Sequence, residues 1–78
     1  MTTTTSIIEI NRTLDRYSHN IARMGWACDR IAWLAQYRKI PKAITDALAT
    51  KAAAVMDGSW YGDEPEQHTI ENYIKGVI

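Results

Sequence analysis

The sequence predicts an all-α fold, in which one long N-terminal helix packs against two shorter helices in a small bundle. Three observations support this prediction: apolar residues recur at helical spacing, start signals precede each predicted helix, and the second half contains an alanine-rich segment that favours helix. The 78 residues form one domain over 1–78. Such a short chain buries only about 60% of its unfolded surface, so a partner or self-association would stabilise it.

The long helix is predicted over residues 6–38, after a flexible tail at 1–5. Ser6 and Glu9 have the spacing of a capping box, in which two side chains satisfy exposed amides at a helix start. Apolar or small residues then follow a heptad pattern: Ile7, Ile10, Leu14, Tyr17, Ile21, Met24, Cys28, Ile31 and Ala35. A continuous helix would be a rod of roughly 45 Å. Gly25 disfavours continuity, and a kink there is left open.

Two shorter helices are predicted over 41–57 and 63–77. Pro41 ends the long helix and suits the first position of the next one. Gly58 occupies the position of a left-handed C-cap, and Asp63 is a capping residue followed by an early proline. Laid end to end, the two shorter helices would cover one side of the long helix.

Charge is divided unevenly, although the net charge is zero. Residues 1–39 contain six basic and three acidic side chains and residues 40–78 the reverse, which gives balances of +3 and −3. The two halves could attract different partners or each other. The sequence shows no secretory signal and no apolar run near the roughly 20 residues that span a membrane. Together with the single Cys28, this predicts a cytoplasmic protein without a membrane partner.

A stripe of basic and aromatic residues is predicted on the face of the long helix opposite the heptad pattern. Its eight members are Arg12, Arg16, His19, Arg23, Trp26, Arg30, Trp33 and Tyr37. Residues three and four apart are neighbours on a helix, so Arg23, Trp26 and Arg30 could form cation–π contacts. Arginine and tryptophan are enriched at binding hot spots, and this stripe is the predicted partner-binding site. In the alternative interpretation, the shorter helices cover Trp26 and Trp33, which then form a second core.

Residues typical of catalysis or of metal binding do not occur in a recognised pattern. His19 and His68 have no histidine or cysteine at a metal-ligand spacing, and Cys28 has no neighbouring base. No glycine-rich phosphate loop is present. We therefore expect a binding protein rather than an enzyme, with no cofactor and no metal.

Part of the sequence resembles a known family. The segments 40–44 (Ile-Pro-Lys-Ala-Ile), 51–53 (Lys-Ala-Ala) and 57–60 (Asp-Gly-Ser-Trp), with the threonine-rich start that ends in Ser6-Ile7, resemble small phage-encoded anti-CRISPR proteins that inhibit type I-F interference complexes. That family has strands and a strongly acidic surface that competes with target DNA, whereas this chain has a basic N-terminal half, so no binding residue is carried over. The resemblance implies a phage or mobile-element protein that binds and blocks a bacterial complex.

Three classes of function follow from these features. The leading hypothesis is a non-enzymatic inhibitor that binds a host protein or nucleoprotein complex through the stripe. The second is a small nucleic-acid- or nucleotide-binding regulator, in which arginines contact phosphates and indoles stack on bases; zero net charge weighs against it. The third is a structural homodimer formed through the long helix.

Overall fold

The structure, a computed structural model, describes residues 3–77, with the side chains of residues 4–76. Four helices succeed one another in this range: α1 (Thr3–Arg16), α2 (Ile21–Tyr37), α3 (Lys42–Asp57) and α4 (Pro65–Val77). No strand occurs among the described residues. The predicted all-α class is confirmed, whereas the predicted long helix over 6–38 is wrong, because that segment is divided between α1 and α2.

The division is made by Asn20, which is the N-cap of α2. Its backbone is extended, with φ −95° and ψ 106°, and its Oδ1 accepts a hydrogen bond from the backbone N–H of Arg23 at 3.1 Å. An asparagine here satisfies one of the donors that every helix start leaves free. The N–H of Asn20 donates to the carbonyl of Tyr17 at 2.9 Å and closes a tight turn. The chain therefore turns before Asn20, while Gly25 lies inside α2.

The start of α1 also differs from the prediction. Residues 3–5 belong to the helix rather than to a flexible tail, and residues 1–2 lie outside the described residues. Ser6 is buried within α1, so the predicted capping box is wrong. Burial of Ile7 and Ile10 in the core stabilises this helix more than its weak threonine propensity disfavours it.

The helix α3 matches the prediction over 41–57 to within one residue. It ends at Gly58, which has φ 80° in the left-handed region, as the predicted C-cap requires. The N–H of Ser59 donates to the carbonyl of Ala54 at 3.0 Å, so a carbonyl of the last turn finds a partner.

The helix α4 begins at Pro65, two residues after the predicted start at 63. The carboxylate of Glu64 accepts backbone hydrogen bonds from Tyr61 at 2.9 Å and from Gly62 at 2.7 Å. These bonds hold residues 61–64 in a turn, which keeps them out of the helix.

The helices α1 and α3 occupy the middle of the molecule. Each contacts the other and also contacts α2 and α4, whereas the described residues of α2 and α4 make no contact with each other. The molecule measures 29 × 25 × 18 Å, so the predicted rod of roughly 45 Å is wrong as well. None of the helices in the described range combines the length and apolar character needed to cross a lipid bilayer.

The apolar core draws on all four helices. It consists of Ile7, Ile10, Leu14, Met24, Ala27, Ile31, Leu34, Ile44, Ala47, Leu48, Ala52 and Ile70. The heptad pattern predicts the α1 members, but Tyr17 and Ile21 are exposed because they flank the turn. In α2 the predicted Met24 and Ile31 are buried and Cys28 packs partly on the core. Ala27 and Leu34 complete the buried face and Ala35 is exposed, because the new helix shifts the phase of the pattern.

A buried lysine supplements this core. Lys51 of α3 has no solvent exposure, and its Nζ donates to Asn11 Oδ1 at 2.6 Å and to Gln67 Oε1 at 2.5 Å. It also forms an ion pair with Asp15 Oδ1 at 2.7 Å, and it lies 5.4 Å from the ring centroid of Trp60. The three oxygens match the three N–H donors of an ammonium group. Lys51 thereby connects α1, α3 and α4.

Candidate protein-binding surface

The turn at Asn20 divides the predicted stripe. Arg12 and Arg16 lie on α1 and His19 lies in the turn, so the eight residues do not share one helix face. No ring contact or ion pair joins these three side chains to the α2 members in the described part of the chain. The expectation of one continuous ridge is therefore wrong.

Five members remain together on one side of α2. They follow the alternate three- and four-residue spacing of a helix face: Arg23, Trp26, Arg30, Trp33 and Tyr37. Together with Arg38, which is not one of the eight predicted residues, we call them the arginine–aromatic surface.

Trp33 is the centre of this surface. The guanidinium carbons of Arg30 and Arg38 lie 4.5 Å and 4.6 Å from its ring centroid, within cation–π distance. The ring of Tyr37 is 5.9 Å away at an interplanar angle of 46°. Trp33 is half-buried and packs on the apolar core. The core thus holds the indole in place, and the indole holds two arginine head groups.

Arg38 reaches Trp33 because α2 ends there. Its backbone is extended, with φ −121° and ψ 147°, while its N–H still donates to the carbonyl of Leu34 at 3.1 Å. Residues five apart do not face each other within a helix. Periodicity could therefore not have predicted the Arg38–Trp33 contact, which depends on the conformation that follows the last turn.

The two tryptophans differ in burial, so each agrees with a different interpretation of the sequence. Trp33 packs partly on the core, as in the second-core alternative, whereas Trp26 is 38% exposed, as in the binding-site interpretation. The expected stack of Trp26 with Arg23 and Arg30 does not form. Arg23 lies over the ring of Tyr17 instead, with 4.5 Å to the centroid, and so connects α2 to the turn that precedes it.

The arginines of this surface have no carboxylate partner among the described residues. The two ion pairs found there are Lys42–Asp46 and Lys51–Asp15. The Nε of Arg30 is buried and has no hydrogen-bond partner among these residues. Guanidinium groups bind carboxylates and phosphates through paired N–H donors. The surface therefore presents unpaired cations whose positions are restricted by an aromatic ring.

His19 lies in a different environment. It lines an open cleft of about 290 Å³ where α1 and α3 end, with Asp15 and Trp60 also in the wall. Within residues 3–77, no group of three His, Cys, Asp or Glu side chains is arranged to hold a metal ion.

Comparison with protein-family models, with curated proteins and with solved structures finds no match to this chain. The functional interpretation therefore depends on the geometry of its own residues.

Proposed function

We propose that this chain is a small protein-binding module whose arginine–aromatic surface docks on an acidic surface of a partner protein. The observation that carries the proposal is the Trp33 cluster, in which two arginines lie over a half-buried indole and have no carboxylate partner within the described part of the chain.

The cluster is suited to binding because it is partly organised in advance. Binding normally costs side-chain entropy, about 0.5–1.5 kcal/mol for each flexible side chain that becomes fixed. The Trp33 ring already restricts Arg30 and Arg38, so less of this cost remains. Stacked guanidinium groups retain N–H donors at their edges, which can form bidentate bonds with carboxylates.

The narrower form of the proposal is that the chain is a phage or mobile-element inhibitor that blocks a bacterial CRISPR-type defence complex. Its support is the resemblance of residues 40–60 and of the N-terminal start to the type I-F inhibitor family. Binding to a purified type I-F interference complex tests this narrower form separately, since a protein-binding surface could serve another partner.

Nucleic acid is the alternative partner, because unpaired arginines also fit phosphates. Two features favour protein. The Trp33 ring, which a base would need for stacking, already carries two guanidinium groups. The net charge of the whole chain is zero.

The experiment compares two double variants that remove the same charge. Arg30→Ala with Arg38→Ala removes the cluster, whereas Arg12→Ala with Arg16→Ala removes two exposed arginines of α1. Binding of a fluorescein-labelled Asp/Glu-rich peptide is followed by anisotropy. We expect the first pair to weaken binding by about tenfold or more and the second by less than about threefold.

Equal losses in both pairs would show a diffuse charge effect and contradict the proposal. Tighter binding of single-stranded or duplex DNA than of the peptide, with a steep salt dependence, would favour the alternative. If sedimentation detects a homodimer of the wild type and Arg30→Ala with Arg38→Ala dissociates it, the surface serves self-association instead.

A further inference from the structure

A second surface lies on the other side of α2, between α2 and α3. Two adjoining cavities of about 380 and 140 Å³ form one groove, because Cys28 and Met56 line both. Ile21 and Gly25 extend the α2 wall, and Ala49 and Ala53 extend the α3 wall. The groove is separate from the arginine–aromatic surface, with which it shares no residue.

The apolar side chains of this groove are open to solvent. Ile21 is 90% exposed and Met56 is 56% exposed, although both are large and apolar. Large contiguous apolar patches on a protein surface often mark interaction sites, and Ile21 and Met56 line the same cavity. The small side chains of Ala49 and Ala53 would allow a partner backbone to approach closely.

Gly25, in the α2 wall of the groove, leaves space beside the helix backbone. A Cβ added at this position would meet no heavy atom within 4 Å, so packing inside the chain does not require glycine. The backbone does not require it either, since the glycines with positive φ are Gly58 and Gly62. Glycine in a helix interior disfavours the helix. The α2 wall of the groove is therefore open at Gly25, where a partner can approach the helix backbone closely.

The charges beside the groove indicate what that partner is. Asp29 follows Gly25 by four residues and Asp57 follows Ala53 by four, whereas Asp46 lines a different cavity, between α3 and α4. Residues at these spacings are neighbours on a helix surface, so exposed carboxylates border both walls. Lys42 also lies on α3, but its charge is balanced by an ion pair with Asp46 at 3.0 Å. The border is therefore acidic and complements a basic partner.

We propose that the α2–α3 groove binds an amphipathic helix with a basic polar face, supplied by a second partner protein. The apolar side chains of that helix lie between Ile21 and Met56, and its lysines or arginines meet Asp29 and Asp57. The α2 wall, from Ile21 to Ile31, is about 15 Å long, which accommodates about three helical turns. The chain then joins two proteins of opposite charge preference through the two sides of α2.

The test uses synthetic peptides of about four turns. The basic peptide has leucines on one face and lysines on the other, the acidic peptide has glutamates in place of the lysines, and a third has the basic peptide's residues in scrambled order. We expect the basic peptide to bind at least about tenfold more tightly than the other two.

Gly25→Leu fills the open space, and Gly76→Leu is its matched control, because Gly76 is also helical with nothing within 4 Å of an added Cβ. We expect Gly25→Leu to weaken binding of the basic peptide by about tenfold or more, and Gly76→Leu to leave it within about twofold. Circular dichroism confirms that each variant is folded. Asp29→Lys with Asp57→Lys should reverse the preference between basic and acidic peptides.

Equal binding of all three peptides overturns the proposal, as does unchanged binding by Gly25→Leu. A wild-type dimer that Gly25→Leu converts to a monomer also overturns it, because a second copy would then occupy the groove. Arg30→Ala with Arg38→Ala should leave binding of the basic peptide unchanged, so this test is independent of the arginine–aromatic surface.

Discussion

Lys51 and the arginines beside Trp33 are cations on adjacent helices, but their surroundings differ. Lys51 is fully buried and has three oxygen acceptors within 2.7 Å. Arg30 and Arg38 lie over an aromatic ring and have no carboxylate among the described residues. The ammonium group of Lys51 therefore has all its hydrogen-bond acceptors within the chain, while the guanidinium groups of Arg30 and Arg38 are available to a partner.

Because of this difference in surroundings, we expect the buried lysine to affect the free energy of unfolding and the arginines to affect partner binding. Removing one partner of a buried charge network costs several kcal/mol, because the remaining polar groups lose their bonds without regaining water. Arg38 is exposed and Arg30 is partly buried, and removing a cation that is not part of a buried ion pair changes stability by about 1 kcal/mol or less. Substitutions at Lys51 should thus alter unfolding, and substitutions at Arg30 or Arg38 should alter binding.

The largest effect is expected for Lys51→Ala. The substitution leaves Asn11 and Gln67 without their donor and opens a cavity, so we expect a loss of about 3–5 kcal/mol in the free energy of unfolding. Urea titration followed by circular dichroism measures it. Lys42→Ala is the control: its ion pair with Asp46 is exposed, and the expected loss is about 0.5 kcal/mol or less. Similar losses in both variants would remove the distinction between buried and exposed cations.

A double-mutant cycle between Lys51 and Gln67 measures how strongly the buried lysine is coupled to its hydrogen-bond acceptor. If their 2.5 Å hydrogen bond acts within one network, Lys51→Met and Gln67→Leu will be non-additive, with a coupling energy of about 1–3 kcal/mol. The double variant loses donor and acceptor together and keeps apolar groups of similar size. Urea denaturation of the four proteins gives the coupling, and additive losses would contradict a direct interaction.

Gly58→Ala should have the next largest effect. Gly58 has φ 80°, where a Cβ is disfavoured, so the expected loss is about 1–2 kcal/mol in the free energy of unfolding. This turn leads the chain from α3 to Trp60, whose ring faces Lys51. Gly25→Ala is the matched control in a helix interior and should stabilise the fold by up to about 1 kcal/mol. Thermal unfolding of both variants shows whether the signs differ.

The α3 and α4 half of the fold could be predicted closely from the sequence. Gly58 is a local signal whose conformation depends on its own backbone, and it ends α3 as expected. Pro41 marks the start of α3 to within one residue, but it is the extended N-cap rather than the first helical residue, and α2 already ends at Tyr37. The break before α2 also had a local signal, since Asn20 is a favoured N-cap. The heptad pattern continues past Asn20 without a break, so apolar spacing alone does not reveal that a new helix starts there.

The residues of the candidate site were predictable to the extent that they follow helical spacing. The five α2 residues of the arginine–aromatic surface share one side, as their three- and four-residue spacing predicts. Arg38 lies beyond the last turn, and its contact with Trp33 depends on an extended backbone. Lys51 sits among alanines and has the sequence environment of a surface residue. Its burial follows from oxygens supplied by α1 and α4, which no local pattern records.

The smallest effect on stability is expected at Glu64, whose carboxylate is bound by backbone N–H donors rather than by a side chain. Desolvation opposes ionisation of its carboxyl group, but backbone N–H donors of residues 61–64 outweigh it and lower the pKa of Glu64 from its ordinary value of 4.5. A lowered pKa in the folded state means that ionised Glu64 stabilises the protein above pH 4.5, and that this contribution is lost as the pH falls through the folded-state pKa.

Glu64→Gln should therefore be less stable than the wild type at neutral pH and equal to it once Glu64 is protonated. Urea midpoints measured from neutral to acidic pH will test this, with Glu66→Gln as the control because Glu66 lies nearby in the first turn of α4. A difference that persists at acidic pH would mean that the shape of the glutamate, rather than its charge, holds the turn at Tyr61 and Gly62. The turn precedes the helix that carries Gln67, so its loosening should also weaken the Lys51 network but leave the arginine–aromatic surface unchanged.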